Sequence, residues 1–270
     1  MEVINKIRRD VELNHPLIHC ITNPISINQC ANALLAVGAR PIMAEHPHEV
    51  GEITVTAKAL LLNLGNITDV RMESMGISLK TAKDNHLPVI LDAVGIACSR
   101  LRRNFVSELL NIAVPTVIKG NYSEINALYH GEYRSAGVDA DASLGVNSMD
   151  RAAAELARKY HTIILASGKT DIVTDGSRLI HINNGTGQLS TITGTGCMLG
   201  ALCAAYMSVE ADIEAVVTAC AVLGIAGELS ETDAGSGTFM VNLMDILSVM
   251  KDAQLEKYLD KEEISIEDIR

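Results

Sequence analysis

Two glycines bracket a threonine in "TITGTGCMLGALCAAY", residues 191–206, and a cysteine follows at once. Beyond Cys197 the stretch is uncharged and mostly apolar, which reads as a helix meant for burial. A helix N-terminus offers unpaired backbone N–H groups and the positive end of its dipole, so it suits an anion such as phosphate. Glycines there let the backbone come close to that ligand. Taken alone, the stretch reads as well as a tight turn into a core helix, because a short Gly-x-Gly is a weak signal.

The elements that would position this turn follow from hydrophobic patterning. "LIHCIT" (17–22), "ALLLNLG" (59–65), "PVILDAVG" (88–95), "PTVIKG" (115–120) and "TIILASG" (162–168) read as buried strands ending in loops. Helical patterns lie between them at 26–37, 68–86, 104–113, 121–129 and 149–160. Near-continuous apolar strands separated by amphipathic helices predict an α/β fold: a mostly parallel central sheet with helices on both faces. "DIVTDG" and "RLIHINNG" (171–185) predict an antiparallel hairpin at the sheet edge. From residue 194 the pattern is wholly helical (194–209, 212–231, 238–251), followed by an acidic tail helix. The polar stretch 131–145 reads as a long loop beside or over a site. No linker or repeat divides residues 1–270, so one domain is expected, with a peripheral tail from about residue 252.

Open α/β sheets bind ligands at the carboxyl ends of their strands. That rule gathers Asn23, Asp92, Lys119, Asn121, Glu124, Ser167 and Cys197 on one rim with the 194 turn. Singly, each has a plain reading: Asp92 a helix cap, Glu124 a first-turn dipole partner, Lys119 and Ser167 loop residues, Cys197 a small buried hydrophobe. Together, carboxylates, a cation and a helix N-terminus can hold a metal and a phosphate chain.

Composition narrows the function. The chain has 270 residues, 48% hydrophobic, with no Trp and two Phe, so its core must be aliphatic. A net charge of −11 and no basic run longer than "RLRR" (100–103) argue against nucleic acid as a partner. No apolar run is long enough to span a bilayer, and "MEVINKIRRDVELN" lacks a signal-peptide core. Six scattered cysteines without metal spacing read as reduced thiols, and a cytoplasmic location is expected. "SGKT" (167–170) fails as a P-loop because Ile163 stands where the first glycine belongs and a strand follows. "HPH" (46–48) reads as a surface turn rather than a metal site, and "GTGQ" (185–188) as a loop.

Six segments, taken in order, carry a likeness: the stretch 16–50 with "HCITN" and "RPIMA", "LLLNLGNI", "VILDAVG", "IKGNYSEI", "TGTGCMLGAL" and "GSGTFMVNLMD". Together they resemble the hydroxyethylthiazole kinases, ribokinase-like enzymes of thiamine synthesis and salvage. The likeness weakens only at 130–148 and beyond about residue 250. The wider ribokinase-like group usually has Asp after its Gly-x-Gly, whereas the thiazole kinases are similar to this chain in having Cys. Ala93 departs from the usual "LDPVG". The resemblance implies ATP-dependent phosphorylation of 4-methyl-5-(2-hydroxyethyl)thiazole, with Mg²⁺, in a homotrimer whose thiazole pockets lie between subunits. It further implies that Met43, Gly194 and Asn23 meet the thiazole alcohol and that Lys119, Ser167 and Gly196 meet ATP. Asp92 and Glu124 would hold Mg²⁺, and Cys197 would lie beside the attacking hydroxyl. Rival expectations are a hydroxymethylpyrimidine-type kinase, an ATP-dependent dehydratase of related fold, and a nucleotide sensor without catalysis.

Overall fold

Why the apolar runs form a two-sided sheet is clearest in the strand Ala59–Asn63, every residue of which is buried. Leu61 packs into one core, while Leu60 and Leu62 pack into another on the opposite face. The computed structural model describes residues 1–131 and 145–265. Its strands are β1 (Leu17–Ile21), β2 (Arg40–Ile42), β3 (Ala59–Asn63), β4 (Val89–Asp92), β5 (Val117–Asn121) and β6 (Ile163–Ser167), then β7 (Asp171–Thr174), β8 (Leu179–Ile182) and β9 (Lys261–Ile264). The sheet order is β2-β1-β3-β4-β5-β6-β7-β8-β9. Pairing is parallel from β2 through β6 and antiparallel from β6 to β9.

Helices α1 (Glu2–Asn14), α2 (Ile27–Ala36), α3 (Val50–Thr56), α4 (Asp69–Asp84), α5 (Arg100–Ile112), α6 (Tyr122–His130) and α7 (Val146–Tyr160) follow in chain order. The last four are α8 (Thr195–Met207), α9 (Ile213–Leu229), α10 (Ser236–Val249) and α11 (Asp252–Tyr258). One face of the sheet is covered by α1, α2 and α8–α10, the other by α4 and α5 and then by α6 and α7. From Met198 to Met207 every residue of α8 is buried. A helix that is apolar all round belongs in an interior, and here it lies between the sheet and α9. Both phenylalanines, Phe105 and Phe239, are buried among aliphatic side chains.

The mostly parallel sheet covered on both faces stands as expected, and the residues after "SGKT" form strand β7. "RLRR" opens α5. Three expectations need correction. Among the described residues the acidic tail is helical over Asp252–Tyr258, and Lys261–Ile264 then pairs antiparallel with β8, Leu179 opposite Ile264. The hairpin is therefore not the sheet edge. A charged edge strand such as "KEEI" resists further pairing, and its alternation is too short to read unaided. The segment read as a loop at "GTGQ" enters a 3₁₀ turn, Gly187–Thr191. Strand β2, three residues long, and helix α3, seven residues long, were not anticipated. Apart from its end residues, the polar stretch 131–145 lies outside the described residues.

A buried imidazole ties β1 to its surroundings. His19 is fully buried, with Nδ1 2.9 Å from Thr54 Oγ1 and Nε2 2.9 Å from the carbonyl of Ala44. Burial pushes its pKa below the usual 6.5, although the bond to Ala44 opposes the shift. Below 6.5 the unfolded chain takes up a proton that the native state resists, so stability falls as pH drops. We expect the melting temperature to decline between about pH 7.5 and about pH 5.5, and H19Q to decline less. Equal declines in calorimetry would assign the acid sensitivity elsewhere.

Candidate functional site

Strand register builds this site. Leu61, Ile90 and Val117 face the core beneath α8, and two residues further along each strand come Asn63, Asp92 and Lys119. Side chains at i and i+2 share a sheet face, so these three polar groups also point toward α8. Asn63 is aligned with Asp92, and Asp92 with Lys119, across neighbouring parallel strands. A polar ladder thus runs across the carboxyl ends of β3, β4 and β5.

All three are buried. Lys119 Nζ donates to Asp92 Oδ1 at 3.0 Å and to Oδ2 at 3.1 Å, and Asn63 Nδ2 donates to Oδ2 at 2.9 Å. Burial raises the Asp92 pKa, opposed by the charge and hydrogen bond of Lys119 and by Asn63. Burial works against the Lys119 charge, but Asp92, Cys197 and Glu124 together hold its pKa above the usual lysine value. The pair is an ammonium facing a carboxylate.

Asn23 follows β1. Its Oδ1 accepts from the backbone N–H groups of Ile25 and Ser26, each at 3.1 Å. Its Nδ2 therefore faces the site, donating to Asn63 Oδ1 at 3.1 Å and to Cys197 Sγ at 3.4 Å. Cys197 is half-buried in the first turn of α8. That helix begins at Gly194, whose φ of 97° is left-handed and needs glycine, and it carries no side-chain cap. A Cβ on Gly194 would stand 3.1 Å from Ser26 Cβ, so this turn seats against the start of α2. Gly196 is exposed, and a Cβ there would meet only Lys119 Nζ, at 3.6 Å. The uncapped start of α8 and the Lys119 ammonium thus lie close together.

Glu124 sits in the first turn of α6, where its carboxylate and the Asn121 side chain form a capping box. Its Oε1 accepts from Gly95 N–H at 2.6 Å and its Oε2 from Asn121 N–H at 2.7 Å. Burial, and then the charge of Asp92, raise its pKa, opposed by those N–H groups and Lys119. Ser167 closes β6 opposite Asn121 and donates to the Gly120 carbonyl at 3.4 Å. Met43, half-buried, packs against the same core as Cys197, but no hydrogen bond joins it to the ladder. Asn23 with Cys197 and Asp92 with Lys119 are thus joined through Asn63, while Glu124 acts on Asp92 and Lys119 through its charge. Asn63 is absent from the rim expected from sequence, because the strand pattern reads through it to residue 65 whereas β3 ends at Asn63 itself. The usable signal was an amide closing a wholly apolar strand.

The donor set suits a hard cation only in company. Among the described residues no group of three or more His, Cys, Asp or Glu side chains converges to cage an ion. Two neighbouring buried carboxylates beside an anion-seeking helix turn fit Mg²⁺, which keeps waters and binds one or two carboxylates plus phosphate oxygens.

Known proteins resemble the chain along nearly its whole length. The hydroxyethylthiazole kinase family model matches residues 8–253. "Hydroxyethylthiazole kinase 2" of Clostridium botulinum is 45% identical over 258 residues, covering 93% of this chain and 97% of its own. The solved hydroxyethylthiazole kinase of Pyrococcus horikoshii superposes with a TM-score of 0.91 at 32% identity, covering 98% and 100% of the two chains. A ribokinase-like superfamily protein of Enterococcus faecalis, 14% identical, shares the fold with a TM-score of 0.66 over 92% and 89%.

Proposed function

Since the chain belongs to the hydroxyethylthiazole kinase family, we propose that the polar ladder and the α8 turn are where its phosphoryl transfer takes place. The protein is an ATP-dependent kinase of ribokinase-like fold. It phosphorylates the hydroxyl of 4-methyl-5-(2-hydroxyethyl)thiazole in thiamine synthesis. One observation carries the placement: Lys119, Asp92, Asn63, Asn23 and Cys197 form an unbroken hydrogen-bonded series ending under the uncapped turn of α8.

The phosphate chain of ATP lies between the N–H groups around Gly196 and the Lys119 ammonium, with Ser167 lining the nucleotide side. Phosphoryl transfer depends mainly on positioning and on neutralising charge, and both groups supply positive potential where charge spreads over the equatorial oxygens. Asp92 and Glu124 are the groups that would hold Mg²⁺, which when bound neutralises phosphate charge. The thiazole alcohol lies against Met43 and Gly194, with Asn23 beside its hydroxyl. Met43 suits a flat, sulfur-bearing ring. The Cys197 sulfur, receiving an N–H from Asn23, lies where the hydroxyl loses its proton.

Among the described residues no helix is long and apolar enough to cross a membrane, which is compatible with a cytoplasmic enzyme. Family membership supports a homotrimer with thiazole pockets between subunits, which light scattering tests. With ATP and Mg²⁺, ADP release should be faster with the hydroxyethylthiazole than with hydroxymethylpyrimidine or ribose. Equal or faster turnover with either competitor would remove the substrate assignment.

A modest role follows for the thiol. In a loose transition state the hydroxyl keeps most of its proton until late. C197A should therefore lower kcat by less than the roughly 10²–10⁴-fold typical of losing a general base. C197D should keep or raise activity, since a carboxylate accepts hydrogen bonds better. A folded, ATP-binding C197D variant without turnover would overturn that role.

A further inference from the structure

We propose that Asn63 is a positioning residue for phosphoryl transfer, its carboxamide joining the acceptor side of the site, Asn23 and Cys197, to the donor side, Asp92 and Lys119. The inference rests on the roles given above to those four residues.

Asn63 is fully buried and has partners on both ends of its amide. Oδ1 accepts from the Gly65 N–H at 2.9 Å and from Asn23 Nδ2 at 3.1 Å, while Nδ2 donates to Asp92 Oδ2 at 2.9 Å. Chemistry dictates this orientation. A backbone N–H can only donate and a carboxylate only accept, so turning the amide over would set like against like at both ends. The same holds for Asn23, whose oxygen is committed to the N–H groups of Ile25 and Ser26. Neither amide can rotate without breaking bonds. The junction between them is also enclosed: a Cβ on Gly65 would fall 2.7 Å from Asn23 Nδ2 and 2.9 Å from Asn63 Oδ1.

The consequence is a fixed spacing. The sulfur beside the acceptor hydroxyl is tied, through two rigid amides, to the ion pair beside the phosphates. In-line transfer needs the reacting atoms about 3–3.5 Å apart, and an error of about 1 Å can cost about 10²-fold. A tie between the two halves therefore acts on kcat, while each substrate retains its own contacts and hence its KM.

The test uses N63L, C197A and the double variant, with N63S carrying the same expectation where N63L does not fold. N63L is expected to lower kcat about 10–10²-fold, with both KM values within about threefold of the parent. The two losses should be coupled: in the C197A background, N63L should cost several-fold less than it does alone. A purely structural role gives independent losses and moves KM with kcat. A second readout needs no turnover. In the nucleotide-free protein, the rate of iodoacetamide labelling of Cys197, followed by mass spectrometry, should change at least about threefold in N63L, because the Asn23 Nδ2 that now bridges Asn63 and the sulfur loses one of its two acceptors. Additive losses, or an unchanged labelling rate, overturn the proposal while D92N and C197A remain impaired. Full turnover in both D92N and C197A would overturn the placement of the site, and this proposal with it.

Discussion

D92N is expected to lower kcat by about 10²–10³-fold, the loss typical of removing one preorganised electrostatic partner. The substitution keeps the volume of a side chain buried against Gly200, where a Cβ would stand 3.3 Å from Asp92 Oδ2. What it removes is the charge facing Lys119. The ammonium would then be buried without its main counter-charge, and burial would pull its pKa down, the reverse of the present shift. Breaking a buried pair by taking away one partner costs about 3–5 kcal/mol. The amide oxygen still accepts from Lys119, which points to the lower end, about 3 kcal/mol. Urea unfolding should reveal that loss separately from kcat. The Mg²⁺ concentration for half-maximal rate should rise too, and E124Q should raise it with a smaller effect on kcat. If D92N loses less than tenfold in kcat and titrates normally with Mg²⁺, Asp92 stands outside the reaction.

Loss of turnover without loss of structure is the result expected of G196V. The left-handed position in this turn is Gly194, whereas Gly196 has no positive φ, so the substitution is not barred by backbone strain. Nothing but Lys119 Nζ lies near the new Cβ, at 3.6 Å, so the fold can accept it. The branched methyls would instead fill the gap between the α8 N–H groups and the ammonium. A phosphate could then reach neither, and kcat/KM should fall by at least about 10²-fold. Calorimetry should show ATP binding lost, with sizing and melting close to the parent. Normal ATP affinity in G196V would mean that phosphate does not lie against this turn.

Strands β1 and β3–β6 were legible because each is buried on both faces and reads as a near-continuous apolar run. Three-residue β2 and charged β9 carry no such run, and β9 exists through pairing with residues some eighty positions earlier. The site was legible to the extent that the rim rule reaches. Asp92 and Lys119 lie at the ends of their strands' apolar runs, Glu124 in the first turn of the helix that follows β5, and Gly194 and Gly196 mark the turn. Asn63 was not, because its importance depends on the register that sets it beside Asp92. Nor could sequence separate the two glycines, one required by φ and the other by open space.

Helix α1 is secured by partners far along the chain. Asn5 donates to Glu256 and Arg8 to Asp252, bonds that join positions 251 and 244 residues apart. In the same final stretch β9 completes the sheet against β8. On the ribosome, α1 must wait until residues 252 and 256 have emerged before those bonds can form. Contacts of such separation are slow to gain because loop closure precedes any reward. A nascent chain halted before residue 252 would leave Asn5 and Arg8 of α1 without these partners and β8 paired with β7 alone.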